Sequence, residues 1–315
     1  MPALASIALQ ATAVLLLAPL IKGINRKAKA RLQGRHGAGV LQPYYELVKL
    51  MKKDSVVSET TSWIFASAPY ASFAAMIVAG LIVPIFTTDL AAGAAGDFIA
   101  LVYLFAMARL FVALAALDAG SSFGGMGSSR EMTLSALAEP ALLMSVFVVA
   151  VSAGTTSIGA MSSYVAGLGL DAIPPAYALA FVAFMIIAFA ETGRIPFDNP
   201  ATHLELTMIH EAMILEYSGK QLALIEWASS IKQLLIMALA INLFLPWGIA
   251  TQAAAPMALA GSLIIFIAKL TLLSVMIAAI ESSTAKWRLF RVPNLLILSI
   301  VLSALALISY YTGGV

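Results

Sequence analysis

The sequence predicts an all-α, polytopic integral membrane protein with about eight transmembrane helices and one amphipathic helix on the cytoplasmic face. Three observations predict it. Of 315 residues, 61% are hydrophobic and 11% charged, and the mean hydropathy is +0.96, which leaves too little polar surface to cover a water-soluble globule. The apolar residues gather into runs near the roughly 20 residues that a helix needs to cross hydrocarbon. Of the connections between those runs, only alternate ones contain Lys or Arg, the pattern of a chain that threads a membrane repeatedly.

In chain order the runs lie near 2–22, 69–88, 98–118, 131–153, 174–192, 229–250, 256–280 and 293–312. The first lacks the basic start of a signal peptide and is followed by Lys22, Arg26, Lys27 and Lys29, so it reads as a retained span. Basic residues continue through Arg31, Arg35 and Lys49, then recur at Arg130, at Arg194 and Lys220, and at Lys286, Arg288 and Arg291. The positive-inside rule makes these connections cytoplasmic and places both termini on the far side of an inner (plasma) membrane. The chain reads as one transmembrane domain, 1–315, with cytoplasmic segments near 23–68 and 193–228 as docking and coupling loops.

With no Cys, the chain has no disulfides, thiol catalysis or cysteine-held Fe–S cluster. His210 and Glu211 begin an "HE" pair, but no His follows at position 214, so the zinc-protease spacing fails and no metal site is expected. Gly34, Gly37 and Gly39 match no phosphate loop, and nothing points to nucleic acid. No nucleophile–base set stands out, so no catalytic residue is assigned.

In "QPYYELVKLMKK", Tyr44, Leu47, Val48 and Met51 fall at helical spacing, while Glu46, Lys49 and Lys53 take another face. This is the predicted amphipathic helix, a lipid-surface anchor or a docking surface for another subunit.

An ionisable group deep in a bilayer costs several kcal/mol unless paired or hydrated, so such residues are functional candidates. They are Arg109 and Asp118 on the third span, Glu131 and Glu139 on the fourth and Glu191 at the end of the fifth; Glu226 and Lys232 on the sixth and Lys269 and Glu281 on the seventh complete the set. Arg109 and Asp118 lie on opposite faces of one helix and need separate partners. The set outlines a polar path from the cytoplasmic face toward the midplane. In "GRIPFDNPATHLE", Gly193, Pro196 and Pro200 break the helix, and Thr202 with Glu205 has capping-box spacing for a short helix carrying His203, Thr207 and His210.

"ETGRIPFD", followed by "EYSG" at 216–219, resembles the signature of the first membrane subunit of respiratory complex I. That family also includes the subunit 4 or component C membrane proteins of formate hydrogenlyase, hydrogenase-4 and other energy-converting nickel-iron hydrogenases. "RHGAGVLQPYYELVKLMKKD" and "GSSREMTLSALAEP" extend the similarity over most of the chain. The resemblance implies a membrane subunit on which a cytoplasmic redox arm stands, coupling electron transfer to proton or sodium translocation. It implies partners as well: a hydrogenase-like large subunit, an Fe–S small subunit and antiporter-like membrane subunits, in a lipid bilayer. Fe–S clusters and a nickel-iron centre would lie in those partners, with quinone a further cofactor in the complex I branch. By this likeness Glu139, Glu191, Arg194, Asp198, Glu205 and Glu216 are coupling residues, joined by Glu131, Arg109, Asp118 and Lys269 from the charge pattern, while Arg31, Arg35, Glu46 and Lys49 serve docking. "DNPATHLEL", where complex I has a run like "DLAEGESEL", puts Ala201 and His203 at acidic positions and favours the hydrogenase branch. A quinone-site subunit of NADH:quinone oxidoreductase, a stand-alone secondary transporter and an inert anchor are the alternatives.

Overall fold

A computed structural model describes residues 3–85, 87, 96–169, 174–198, 208–250 and 256–312. Its helices are α1 (Ala3–Leu32), α2 (Gln42–Met51), α3 (Trp63–Ile82), α4 (Phe98–Asp118), α5 (Ser122–Ala153), α6 (Ile158–Leu168), α7 (Pro175–Glu191), α8 (His210–Met213), α9 (Gly219–Phe244), α10 (Pro256–Ser283) and α11 (Val292–Thr312). Among the described residues there is no strand, only isolated bridges pairing Thr87 with Ala250 and Asp97 with Ser157.

Among the described residues seven helices are long and apolar enough to cross a bilayer. The eighth predicted span is α7, whose 17 residues rise about 25 Å, slightly less than the hydrocarbon core. Charge and serine pattern moved several boundaries. α1 runs on to Leu32 because its basic tail, Lys22 to Arg31, is itself helical. α3 begins at Trp63, where the Ser62 hydroxyl accepts the Ile64 N–H, and α5 begins at Ser122, capped by Ser121. The stretch "SSFGGMGSS" lies before the predicted span near 131–153, yet it is helical, its glycines held by packing. A Cβ on Gly127 would meet the Ala212 Cβ at 2.8 Å and the Ile209 carbonyl oxygen at 3.0 Å, so the small residue permits close helix contact.

α9 is the central element: from Ser230 to Phe244 every residue except Lys232 is buried, as befits a helix apolar on all sides. α1, α3, α7 and α10 pack around it, with α4, α5 and α11 completing the bundle. α3 and α4 pack on each other, and both bury small residues, Ala68, Ser72, Ala75 and Ala79 on α3 and Ala108, Ala113, Ala115 and Ala116 on α4. With no hydrophobic drive between helices in lipid, such close backbone packing supplies the attraction.

The predicted amphipathic helix is α2. Pro43 is buried, and of the apolar face Tyr44, Leu47 and Met51 are half-buried, while Val48 and the neighbouring Tyr45 are 53% and 65% exposed. The "EYSG" run explains how the segment after α2 is held. The Tyr217 ring stacks on Phe65 at 4.0 Å and its hydroxyl donates to the Phe65 carbonyl at 2.8 Å. Ser218 Oγ accepts the Val56 N–H at 2.8 Å. Gly219, at φ +54°, lets the Asp54 backbone approach to where a Cβ would sit 2.7 Å from its carbonyl carbon.

Candidate functional site

Four helices meet around one guanidinium. Arg109 of α4, with its side chain 6% exposed, places Nη2 at 2.6 and 2.8 Å from the two Glu191 oxygens at the end of α7. Its Nη1 lies 3.2 Å from Glu139 on α5, and its Nε 3.6 Å from Glu131, one face of the same helix. Lys232 of α9 reaches Glu191 at 2.6 Å. A lone charge here would pay a desolvation cost of several kcal/mol, which explains why five ionisable groups converge. Fully ionised, three carboxylates against two cations leave one net negative charge.

Beside this cluster lies a cavity of about 240 Å³. α1 contributes Lys22, Asn25 and Lys29 to its wall, and the other elements contribute Glu131, Glu191, Arg194, Asp198, Glu211, Glu226 and Glu281. Most of the charges are paired. Lys22 binds Glu226, Lys29 lies 3.0 Å from Glu281, and Arg194 binds Glu281 and donates to Asn25 at 2.6 Å. Lys286 reaches Asp198 at 2.8 Å. Met76, Phe105, Val112, Met213 and Ile225 give the cavity an apolar side.

The helix break at "ETGRIPFD" puts Arg194 and Asp198 there. α7 ends at Glu191 and Gly193 takes a left-handed φ of +58°, which suits glycine because it has no Cβ to clash. The chain then folds back, Arg194 N–H donating to the Phe189 carbonyl and Asp198 N–H to that of Arg194. α8 follows, its backbone held by Asp198, which accepts the His210 N–H at 3.3 Å. Burial pushes the Glu211 carboxyl above the usual carboxylate range; His210 and Lys22 oppose the rise, Glu226 and Asp198 add to it. Burial likewise raises the Tyr217 phenol.

The family model described as NADH dehydrogenase matches residues 4–312. The chain belongs to that family. Hydrogenase-4 component C of Escherichia coli is 36% identical over 96% of this chain and 95% of its own length. Formate hydrogenlyase subunit 4 of the same organism is 38% identical over 91% and 92%. A chain of the membrane-bound sulfane sulfur reductase, an archaeal respiratory membrane complex, shares the fold at a TM-score of 0.85 and 19% identity, covering 98% of this chain and 99% of that one.

In this NADH dehydrogenase family member, Arg109, Glu131, Glu139, Glu191, Arg194 and Asp198 lie in or against the site. Three other candidates lie elsewhere. Asp118 accepts the Ser62 and Phe65 N–H groups at 2.7 and 3.2 Å and so caps α3. Lys269 donates to the carbonyls of Leu245, at 2.6 Å, and Trp247, past the end of α9. Glu216 is exposed and does not line the cavity. Glu205, with His203 and the Thr202 cap, lies outside the described residues. Arg31, Arg35 and Lys49 are exposed at the basic end, and Glu46 pairs with Arg26 at 2.7 Å.

The sequence reading missed Lys22, Asn25 and Lys29 as site residues, having taken the basic ones as a span flank. Their spacing of three and four was the available signal, since it puts all three on one helical face. Glu211 had entered only through the failed zinc motif. Among the described residues no group of three or more His, Asp and Glu is placed to hold a metal ion, and without Cys the site offers no thiolates for an Fe–S cluster.

Proposed function

We propose that this chain is the membrane subunit of a complex-I-like, energy-converting hydrogenase assembly, anchoring a cytoplasmic redox arm and coupling its electron transfer to proton or sodium movement. The observation that carries the reading is the Arg109–Glu191–Lys232 cluster beside a charged cavity, inside a bundle that is otherwise apolar. Closely spaced carboxylates and cations share protons readily. A cavity of about 240 Å³ has room for several waters to link them.

The similarity to hydrogenase-4 component C and formate hydrogenlyase subunit 4 across almost their whole lengths supports the hydrogenase branch. In this reading the basic end is cytoplasmic, both termini lie on the other side, and Arg31, Arg35 and the outward face of α2 meet the arm. The arm's large and small subunits carry the Fe–S clusters and any nickel-iron centre, with antiporter-like subunits alongside. The apolar side of the cavity favours a second reading, a quinone-site subunit, but its volume is below the roughly 300–1,000 Å³ of ligand pockets.

The test is to purify the chain gently from its native membrane, identify its partners by mass spectrometry, and assay hydrogen evolution, quinone reduction and ion translocation. Hydrogenase-like subunits, hydrogen activity and translocation support the first reading. Quinone reduction moves the chain to the second, and recovery of the chain alone from a detergent that preserves complexes overturns both.

A further inference from the structure

We propose that Glu211 is the proton-exchanging carboxyl of this cavity, the acid there that takes up and releases a proton. The assignment deepens the coupling reading by naming the group that titrates. Its first support is an asymmetry of partners. Of the acids lining the cavity, Glu131 and Glu191 face Arg109, Glu226 faces Lys22, Glu281 faces Lys29 and Arg194, and Asp198 faces Lys286. Glu211 has no ion pair among the described residues.

Its second support is the way α8 is held. Ile209, Ala212 and Met213 are buried, with Ala212, the Ile209 carbonyl and Met213 seated on Gly127 of α5. Arg130 Nη1 donates to the Met208 carbonyl at 2.8 Å just before the helix. With these points fixed against α5, His210 and Glu211 are left to line the cavity.

Burial also favours a proton there, while the surrounding charges divide. His210 on the same helix and Lys22 on α1 favour the carboxylate, while Glu226 on α9 and Asp198 after α7 disfavour it. On the packed faces of α4 and α5, Arg109 and Glu131 are engaged with each other, and Arg130 holds a backbone carbonyl. Among the described residues neither His210 nor Lys22 forms an ion pair with Glu211 to offset the desolvation of its carboxylate, and burial favours the neutral acid.

The experiment is infrared titration of the purified native assembly, following the carboxylic-acid C=O stretch with pH in the wild type, Glu211→Gln and Glu211→Asp. The expected result is a band that titrates above the ordinary carboxylate range, is lost in Glu211→Gln and returns shifted in Glu211→Asp, with subunit composition unchanged. A wild type without such a band, or a band that persists in Glu211→Gln, overturns the assignment. The titration needs no turnover, so an assembly that fails to translocate ions would remove the coupling reading while the band still decides the role of Glu211.

Discussion

Arg109 and Glu191, on helices α4 and α7 and 82 residues apart, are joined through one guanidinium nitrogen that reaches both carboxylate oxygens, at 2.6 and 2.8 Å. Both side chains are almost wholly buried, so neither charge can fall back on solvent if the other is removed. Breaking such a pair from one side leaves an uncompensated buried charge and costs about 3–5 kcal/mol. Arg109→Ala should therefore shorten the thermal half-life of the detergent-solubilised protein sharply. Arg109→Lys keeps the charge but loses the fork that serves Glu191 and Glu139 together, and should fall between the two. A half-life in Arg109→Ala equal to wild type would mean that the cluster is not holding α4 to α7.

The same relationship gives a functional prediction. Glu191→Gln leaves Lys232 and Arg109 facing a neutral amide and removes the cluster's net negative charge, so Lys232 loses its carboxylate partner. Hydrogen or quinone turnover of the assembly should persist while ion translocation per electron falls severalfold. Equal loss of both activities, or of neither, would contradict a coupling role for Glu191.

Tyr217 offers a purely structural prediction. Its ring stacks on Phe65 at 4.0 Å and its hydroxyl donates to the Phe65 carbonyl, fixing the start of α3 against the segment before α9. Tyr217→Phe keeps the stack and removes one hydrogen bond, a loss of about 1 kcal/mol. Tyr217→Ala removes the ring as well, for about 3–5 kcal/mol. Stability measured for the two variants should separate in that order; equal values would mean that the stack contributes nothing.

What could be read in advance followed the range of the interaction. Runs of apolar residues are local, so α4, α7 and α11 were legible almost to the residue. The convergence of Arg109 with Glu131, Glu139 and Glu191 was legible only as a need: each charge required a partner, but which helix supplied it depended on packing. Asp118 and Lys269 met that need in a way that pattern alone does not distinguish, by capping the backbone of α3 and binding carbonyls beyond α9. α5 begins well before its predicted span because close contact with neighbouring chain overrides the local preference of Gly124 and Gly127 for turns.

Gly127 tests that override. Its absent Cβ would sit 2.8 Å from the Ala212 Cβ and 3.0 Å from the Ile209 carbonyl oxygen, in a helix where alanine is intrinsically favoured by up to about 1 kcal/mol. Gly127→Ala should nevertheless destabilise, by the roughly 1–3 kcal/mol typical of overpacking. Protease cleavage near α8 should increase with it. A more stable variant with unchanged cleavage would show that α8 is free to move away from α5.

The final prediction concerns pH. Glu211 has a carboxyl whose pKa lies above the ordinary value in the folded protein, so between the unfolded pKa and that raised value the folded state binds more protons than the unfolded one. Stability then falls as pH rises through this window and levels off above it. Glu211→Gln removes the titration and should lose that share of the pH dependence. The half-life of the variant relative to wild type should accordingly rise as pH is raised from the ordinary glutamate range, about pH 4.3, through the raised folded-state value. His210 adjoins Glu211 on α8, so the comparison is repeated in a His210→Gln background. A ratio that stays flat or falls with pH in that background would mean that Glu211 is already ionised at the lower pH, and that burial in the cavity does not hold its proton.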